Sequence, residues 1–314
     1  MAAPLLEVRD LRVSFTHYAS GLKLRHLDVI EGLDMTIEEG QITAVIGASG
    51  SGKSLLAHAI LGILPGGARM SGTIRYKGSA LDMKRLEALR GTEIVFIPQS
   101  VAYLDPTMRV GKQVRLAAQR AGYGSGALQR QRQVFAQYRL EERVERMFPF
   151  ELSGGMARRV LNAAAAVNDR AKLVIADEPT PGLAEQDVRE ALLQLRSMAD
   201  RNCGVLLITH HIEAALSVAD RIVVLYAGTM AEEAHRDDFA GDGMRLRHPY
   251  TRALWRALPQ NGMEPIEGVQ PQPGERPDGC LFAPRCPLAT GQCRERRPEP
   301  RDLRGGMVRC IHAT

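Results

Sequence analysis

The chain opens with LEVRDLRVSF, in which apolar and polar residues alternate with the period of a half-buried strand, followed by QITAVIG, a short β-branched run ending in glycine. From Ser54 the spacing changes: SLLAHAILGIL predicts a helix, with Pro65-Gly66-Gly67 as its stop. Strand, glycine-rich loop and helix together make one α/β unit. Four later runs, IVFIP (94–98), LVIAD (173–177), VLLITH (205–210) and RIVVLYAG (221–228), are continuous and apolar between polar flanks, which predicts strands buried on both faces. Residues 101–170 read mostly as helix, interrupted near Gly122, Gly124 and Gly126, and predict a helical insertion in an α/β core. After about residue 240 the pattern weakens. GDGMRLRHPYTRALWRALP is a short basic helical stretch, and 265–279 is Pro- and Gly-rich with little periodicity, as expected of a linker or loop. There is no internal repeat and no long heptad run.

A length of 314 residues suits one large domain with an appendage, or two modest domains. Hydrophobic content of 45% and charged content of 25% exclude a disordered or collagen-like chain. The net charge is +5, and residues 241–314 hold twelve Arg and no Lys against eight acids, so most of the excess sits in the last quarter. Such a basic segment suits nucleic acid, lipid headgroups or an acidic protein face. No run approaches the roughly 18–20 apolar residues that span a bilayer, and MAAPLLEVRD meets charge before a signal-type apolar region forms. The expected setting is the cytosol, with membranes reached through a partner. In such a reducing compartment Cys280, Cys286, Cys293 and Cys310 read as metal or cluster ligands or as ordinary thiols, ahead of a disulfide framework.

Chemistry enters with Gly47-Ala48-Ser49-Gly50-Ser51-Gly52-Lys53-Ser54, a GxxxxGKS run between a predicted strand and a predicted helix. Its glycines let backbone N–H groups turn toward phosphate oxygens, the helix N-terminus adds a favourable dipole, Lys53 neutralises β/γ charge, and Ser54 suits Mg²⁺. The strand LVIADE ends in two acids: Asp177 suits Mg²⁺, and Glu178 suits orienting and polarising an attacking water. Leu152-Ser153-Gly154-Gly155-Met156 opens an Ala-rich helix. Ser153 suits an N-cap, and Gly154 and Gly155 leave first-turn N–H groups unobstructed, so the segment is either a second anion receptor or an ordinary capped helix.

The ordered set of GxxxxGKS, Gln99 after a strand, LSGG, Asp177-Glu178-Pro179-Thr180 and a strand ending in His210 resembles the ATP-binding subunit of ABC transporters over roughly residues 5–235. The resemblance implies an α/β fold: a P-loop ABC ATPase core over 1–240, a helical subdomain at about 101–170, and a small irregular Cys-containing extension over 241–314. It implies further that Gln99 senses the γ-phosphate and Mg²⁺, that His210 contacts the γ-phosphate, and that Ser153, Gly154, Gly155 and Met156 meet ATP held by a partner subunit. Phe15 stacks on adenine or is a core aromatic, with Tyr18 a lesser candidate; His210 has a capping or core reading beside its phosphate role, and His211 has no assigned role. Implied partners are a second ATPase subunit, two transmembrane permease subunits and an extracytoplasmic solute-binding protein, with no nucleic acid, and the implied place is the cytoplasmic face of the membrane.

HPYTRALWRALP and the tail GCLFAPRCPLATGQC…VRC are similar to the C-terminal extension of the oligopeptide, dipeptide and nickel importer subgroup, and SGKSLLAHAILGILP and FPFELSGGM lean toward its nickel or metal-chelate side. Two departures stand out. Met156 replaces the usual Gln, and Pro181-Gly182-Leu183-Ala184 replaces Ser/Thr-Ala-Leu-Asp, so the Asp contact across the dimer is missing and a heterodimer with asymmetric turnover is expected. Cx5C, Cx6C and Cx16C spacings suit a [4Fe–4S] cluster, tetrahedral zinc or unligated thiols, and the subgroup includes cluster-bearing tails. The competing functions are a soluble ABC-type ATPase acting on nucleic acid, ribosomes or cluster assembly, and a P-loop kinase. The first would carry coiled coils or duplicated domains, and the second would lack LSGG.

Overall fold

The computed structural model describes residues 3–20 and 23–314, and side chains except those of residues 17–25; Tyr18 therefore lies outside the described residues. In chain order the elements are β1 (Leu6–Ser20), β2 (Lys23–Ile37), β3 (Ile42–Gly47), α1 (Lys53–Leu61), β4 (Ala68–Tyr76), β5 (Ser79–Ala80), α2 (Met83–Leu89), β6 (Ile94–Ile97), α3 (Val110–Arg120) and α4 (Ala127–Gln137). There follow α5 (Gly154–Ala166), β7 (Leu173–Asp177), α6 (Glu185–Ala199), β8 (Gly204–Ile208), α7 (Ile212–Val218), β9 (Arg221–Tyr226), β10 (Thr229–His235), α8 (Pro249–Arg256), α9 (Gly291–Glu295), β11 (Arg301–Leu303) and β12 (Gly306–Val308). Contacts group these into two compact units, one of Met1–Thr36, Thr43–Ala80 and His210–Thr314, the other of Ile37–Ile42 and Leu81–Thr209.

In the first unit, β1 lies between β2 and β4 in an antiparallel sheet, and β3 runs parallel to β9 with Gly47 opposite Leu225. Every residue of β3 and all of β9 after Arg221 are buried, which accounts for their unbroken apolar runs. The helix after β3 is shorter than its apolar spacing predicts: α1 ends at Leu61 because Gly62 adopts a left-handed conformation and its N–H turns back to the Ala59 and His58 carbonyls. Pro65 is therefore not what stops it.

Residues beyond 240, set apart by composition, pack within this first unit. β12 pairs with β10, extending the sheet edge. Arg247 is 1% exposed at its side chain and bridges Glu232 Oε1 at 3.2 Å and Asp238 Oδ2 at 2.9 Å, while the other Glu232 oxygen accepts from the His248 N–H at 2.8 Å. A buried pair that lost its cation would leave uncompensated carboxylates, at a cost of about 3–5 kcal/mol. Arg276 and Arg309 reach Glu31 and Asp34 on β2, each at 3.3 Å.

In the second unit, β6, β7 and β8 are parallel. Residues 101–170 are mostly helical: α3 and α4 are separated at Gly122–Gly126, and with α5 they enclose a core that includes Val110, Val114, Val134, Phe135 and Val160. Arg130 donates to the Val167 and Ala166 carbonyls at 2.9 and 3.0 Å, a cation at the C-terminal end of α5 where its dipole favours one.

Candidate active site

The phosphate loop belongs to the first unit. A Cβ at Gly47 would stand 2.4 Å from the Leu225 carbonyl oxygen and 3.0 Å from Ser51 Oγ, so close approach to β9 requires glycine there. Gly50 has φ +77° and nothing within 4 Å of where a Cβ would stand, so the outer rim of the loop is unobstructed. The Lys53 ammonium, on a residue 9% exposed, donates to the Gly47 and Ala48 carbonyls at 2.8 and 3.0 Å. Gly52 is the N-cap of α1 and supplies no side-chain cap, which leaves the first-turn N–H groups to an anion. Ser51 Oγ is buried with no partner among the described residues, Ser54 is half-buried in the first turn, and Ala48 and Ser49 are exposed. The donor set fits a nucleotide polyphosphate: backbone amides, one ammonium and no acid in the first turn of α1.

A contribution that the sequence did not disclose comes from the C-terminal region. Tyr250, on α8 and 2% exposed, accepts a hydrogen bond from the Ala48 backbone N–H, and its ring packs on Tyr226 and Phe282 with centroids 4.5 and 5.3 Å apart. Burial pushes the phenol up to about 12, so it stays neutral. Phe15 lies inside β1, which runs on to Ser20; it is half-buried and pairs with Ala68. His210, exposed, lies two residues past the end of β8 with its ring 4.0 Å from that of His211.

The second unit carries the carboxylates. Asp177 closes β7 at 1% exposure. Glu178 follows at 5% exposure and φ +46°, a left-handed conformation that costs a non-glycine residue about 1–3 kcal/mol. Its N–H donates to the Ile208 carbonyl at 2.9 Å, and Thr209 Oγ1 donates to its Oε2 at 3.4 Å, so the end of β8 and the residue after it hold the strained residue at backbone and side chain. Ser153 caps α5, accepting from the Met156 N–H at 3.3 Å, while Gly154 has nothing within 4 Å of a notional Cβ. Gln99 is exposed two residues after β6. Ala184 is the N-cap of α6 and has no side chain to fulfil that role, so the missing Asp is also a missing cap.

Sequence reasoning missed Arg158. It lies on α5, 4% exposed, and donates from Nη1 to the Pro98 carbonyl at 2.7 Å and from Nη2 to that of Gln99. Burial pulls its guanidinium below the ordinary range, and the charges of Asp177 and Glu178 pull it back up. The available signal was its place beside Ala157, Val160 and Leu161, the buried stripe of the helix.

Among the described residues no group of three or more His, Cys, Asp or Glu is arranged to hold a metal ion. The tail cysteines nevertheless fold together. The Cys280 N–H donates to the Cys293 carbonyl at 2.7 Å, and burial raises the Cys280 and Cys286 thiols, with further contributions from Cys310 and Cys293 to each. Cys293 Sγ stands 3.3 Å from His312 Nε2. Cys203, apart from these in the second unit, is pushed up to about 12 by burial and is chemically inert.

A glycine-walled phosphate loop at a strand-to-helix turn, with paired acids ending another parallel strand, defines a P-loop ATPase. The model of a family described as ABC transporter matches residues 30–181, and that of the oligopeptide/dipeptide transporter C-terminal region matches residues 231–293. A dipeptide transport ATP-binding protein of Haemophilus influenzae is 32% identical over 326 residues, spanning 98% of this chain and 94% of that protein. Its counterpart in Escherichia coli is 34% identical, spanning 98% and 96%. A solved ATP-binding subunit of an ABC transporter superposes with TM-score 0.64 at 26% identity, over 79% of this chain and 97% of that one. A dimeric bacterial ABC transporter cassette has the same fold, with TM-score 0.64 at 24% identity over 74% and 98%. The chain belongs to the ABC transporter family, as an ATP-binding, ATP-hydrolysing subunit with the oligopeptide/dipeptide C-terminal region. No helix among the described residues is long and apolar enough to cross a membrane.

Proposed function

We propose that this chain is the motor subunit of a peptide importer. The observation that carries the reading is likeness over nearly the whole chain, C-terminal region included, to dipeptide-transport subunits. That likeness favours peptide over the nickel or metal-chelate solutes toward which two short segments lean. In this reading Lys53 and the amides of residues 47–54 hold the β- and γ-phosphates, Phe15 stacks on adenine, and His210 contacts the γ-phosphate. Ser54, Gln99 and Asp177 would hold Mg²⁺, which would neutralise charge on the phosphate oxygens. Glu178 takes a proton from the water whose oxygen attacks the γ-phosphorus in line, as the bond to the β-phosphate oxygen breaks. Ser153, Gly154, Gly155 and Met156 meet the ATP of a second ATPase subunit, and Ala184 argues for a heterodimer. Two permease subunits dock beside Gln99 and Tyr103–Pro106; a groove of about 370 Å³ in the second unit begins at Thr107, the next residue, and is lined by Arg109, Lys112, Arg115 and Phe148. A solute-binding protein delivers peptide outside, and this subunit works on the cytoplasmic face. In proteoliposomes holding the whole complex, dipeptide-loaded binding protein is expected to raise ATP hydrolysis several-fold and nickel-loaded protein to leave it at the basal rate. No response to any peptide would overturn the assignment.

The same reading gives Cys280, Cys286, Cys293 and Cys310 a [4Fe–4S] cluster. The spacing of the four Cys is what suits it; among the described residues they are not arranged as a metal site, so a cluster would have to draw them together. Protein purified without oxygen is expected to be brown, absorbing near about 400 nm and holding about four irons per chain, with both signals lost in Cys→Ser variants. Colourless, iron-free protein would remove the cluster, and stoichiometric zinc would replace it.

A further inference from the structure

Arg158 joins three parts of the machinery that are far apart in sequence. Its helix, α5, begins at the Ser153-capped glycines. Its guanidinium holds the carbonyls of Pro98 and Gln99, just past β6, and the charges of Asp177 and Glu178 at the end of β7 favour its charged form. Taking a guanidinium out of water is costly, and a neutral side chain of similar length would avoid that cost. Nε is itself buried without a partner among the described residues, so simple stabilisation explains this residue poorly. The neighbouring Arg159, by contrast, is half-buried and donates to the Arg139 carbonyl at 3.2 Å, within the helical insertion.

We propose that Arg158 is a positioning residue for ATP hydrolysis, fixing the Gln99 turn to the helix that carries the Ser153–Gly155 signature. Resting on the ATPase reading above, this gives one chain a rigid link between the surface offered to its partner's nucleotide and its own glutamine turn. The fork of the guanidinium is what allows it. One nitrogen serves each carbonyl of the turn, a geometry that an ammonium on a single stem does not reproduce.

The test uses the assembled transporter carrying Arg158→Gln or Arg158→Lys, with kcat, KM for ATP, nucleotide affinity and melting temperature measured for each. Loss of alignment is expected to lower kcat about 10- to 100-fold in Arg158→Gln, with KM and affinity within about threefold of the parent. Arg158→Lys keeps the charge without the fork and is expected to recover part of the loss, to within about threefold to tenfold of the parent, at an unchanged KM. A parental kcat in both variants would overturn the inference. So would an equal fall in kcat and affinity that lysine does not rescue, which marks a purely structural residue. Should Arg158→Gln fail to fold, Arg158→Lys decides alone by the same split. Glu178→Gln, assayed in parallel, separates the two levels. If it is inactive while both Arg158 variants turn over normally, only the positioning role falls; if it turns over normally, the assigned chemistry falls with it.

Discussion

Glu178→Gln is expected to stop steady-state ATP turnover in the assembled complex, by about 10²–10⁴-fold, while nucleotide still binds and still closes the two ATPase subunits. The substitution is chosen for its narrowness. Gln keeps the length and planarity of the side chain and can sit at the same φ of +46°, held by Ile208 and Thr209, but its amide does not take up the water's proton. Phosphate release and equilibrium binding of a fluorescent ATP analogue separate the two effects, and unchanged hydrolysis would remove Glu178 from the chemistry. If the partner is a different ATPase, as proposed, the change is further expected to act unequally in the two chains, because Ala184 stands here where Asp is usual. Equal nucleotide trapping at both sites in the wild-type complex would contradict that asymmetry.

Lys53→Ala is expected to act earlier, on binding itself. The ammonium now serves two loop carbonyls, and those donor bonds show how the loop keeps a buried charge solvated by protein. Without it, the Gly47 and Ala48 carbonyls lose their donor and the phosphates lose the one cation of the loop. A hydrogen bond to a charged group is worth about 1.5–3 kcal/mol, so ATP affinity is expected to fall by at least about tenfold and turnover to become undetectable at ordinary ATP concentrations. Isothermal titration with ATP reads this directly, alongside a melting curve to establish that the fold persists. An unchanged Kd would show that the backbone amides alone hold the nucleotide.

The parts legible in the sequence were those set by local patterns. The phosphate loop, the strand ending in Asp177-Glu178, the Ser153 cap and the broken helical insertion each depend on residues within a dozen positions of one another. What stayed hidden depends on pairing between distant segments. Nothing near Tyr250 announces that its hydroxyl meets Ala48, some two hundred residues earlier. Nothing in MARRV says which of two adjacent arginines is buried, since both fit the helical period and only packing against β6 and β7 decides. The left-handed conformation of Glu178 was equally invisible, because glutamate avoids it unless neighbouring strands impose it. The composition shift after residue 240 was real as chemistry, yet the segment packs with the N-terminal strands through Arg247, Arg276 and Arg309.

That packing has a consequence during translation. The first compact unit is assembled from three stretches of chain, Met1–Thr36, Thr43–Ala80 and His210–Thr314, so the phosphate loop is made long before the residues that back it. At elongation rates of about 5–20 residues per second, Leu225 and Tyr250 follow Gly47 by about 10–40 s. Through that interval β3 has neither its parallel neighbour β9 nor the phenol beneath Ala48, and an apolar strand waits with an open edge. The contacts that back the nucleotide loop are therefore among the last to be synthesised, although the loop is among the first things the sequence announces.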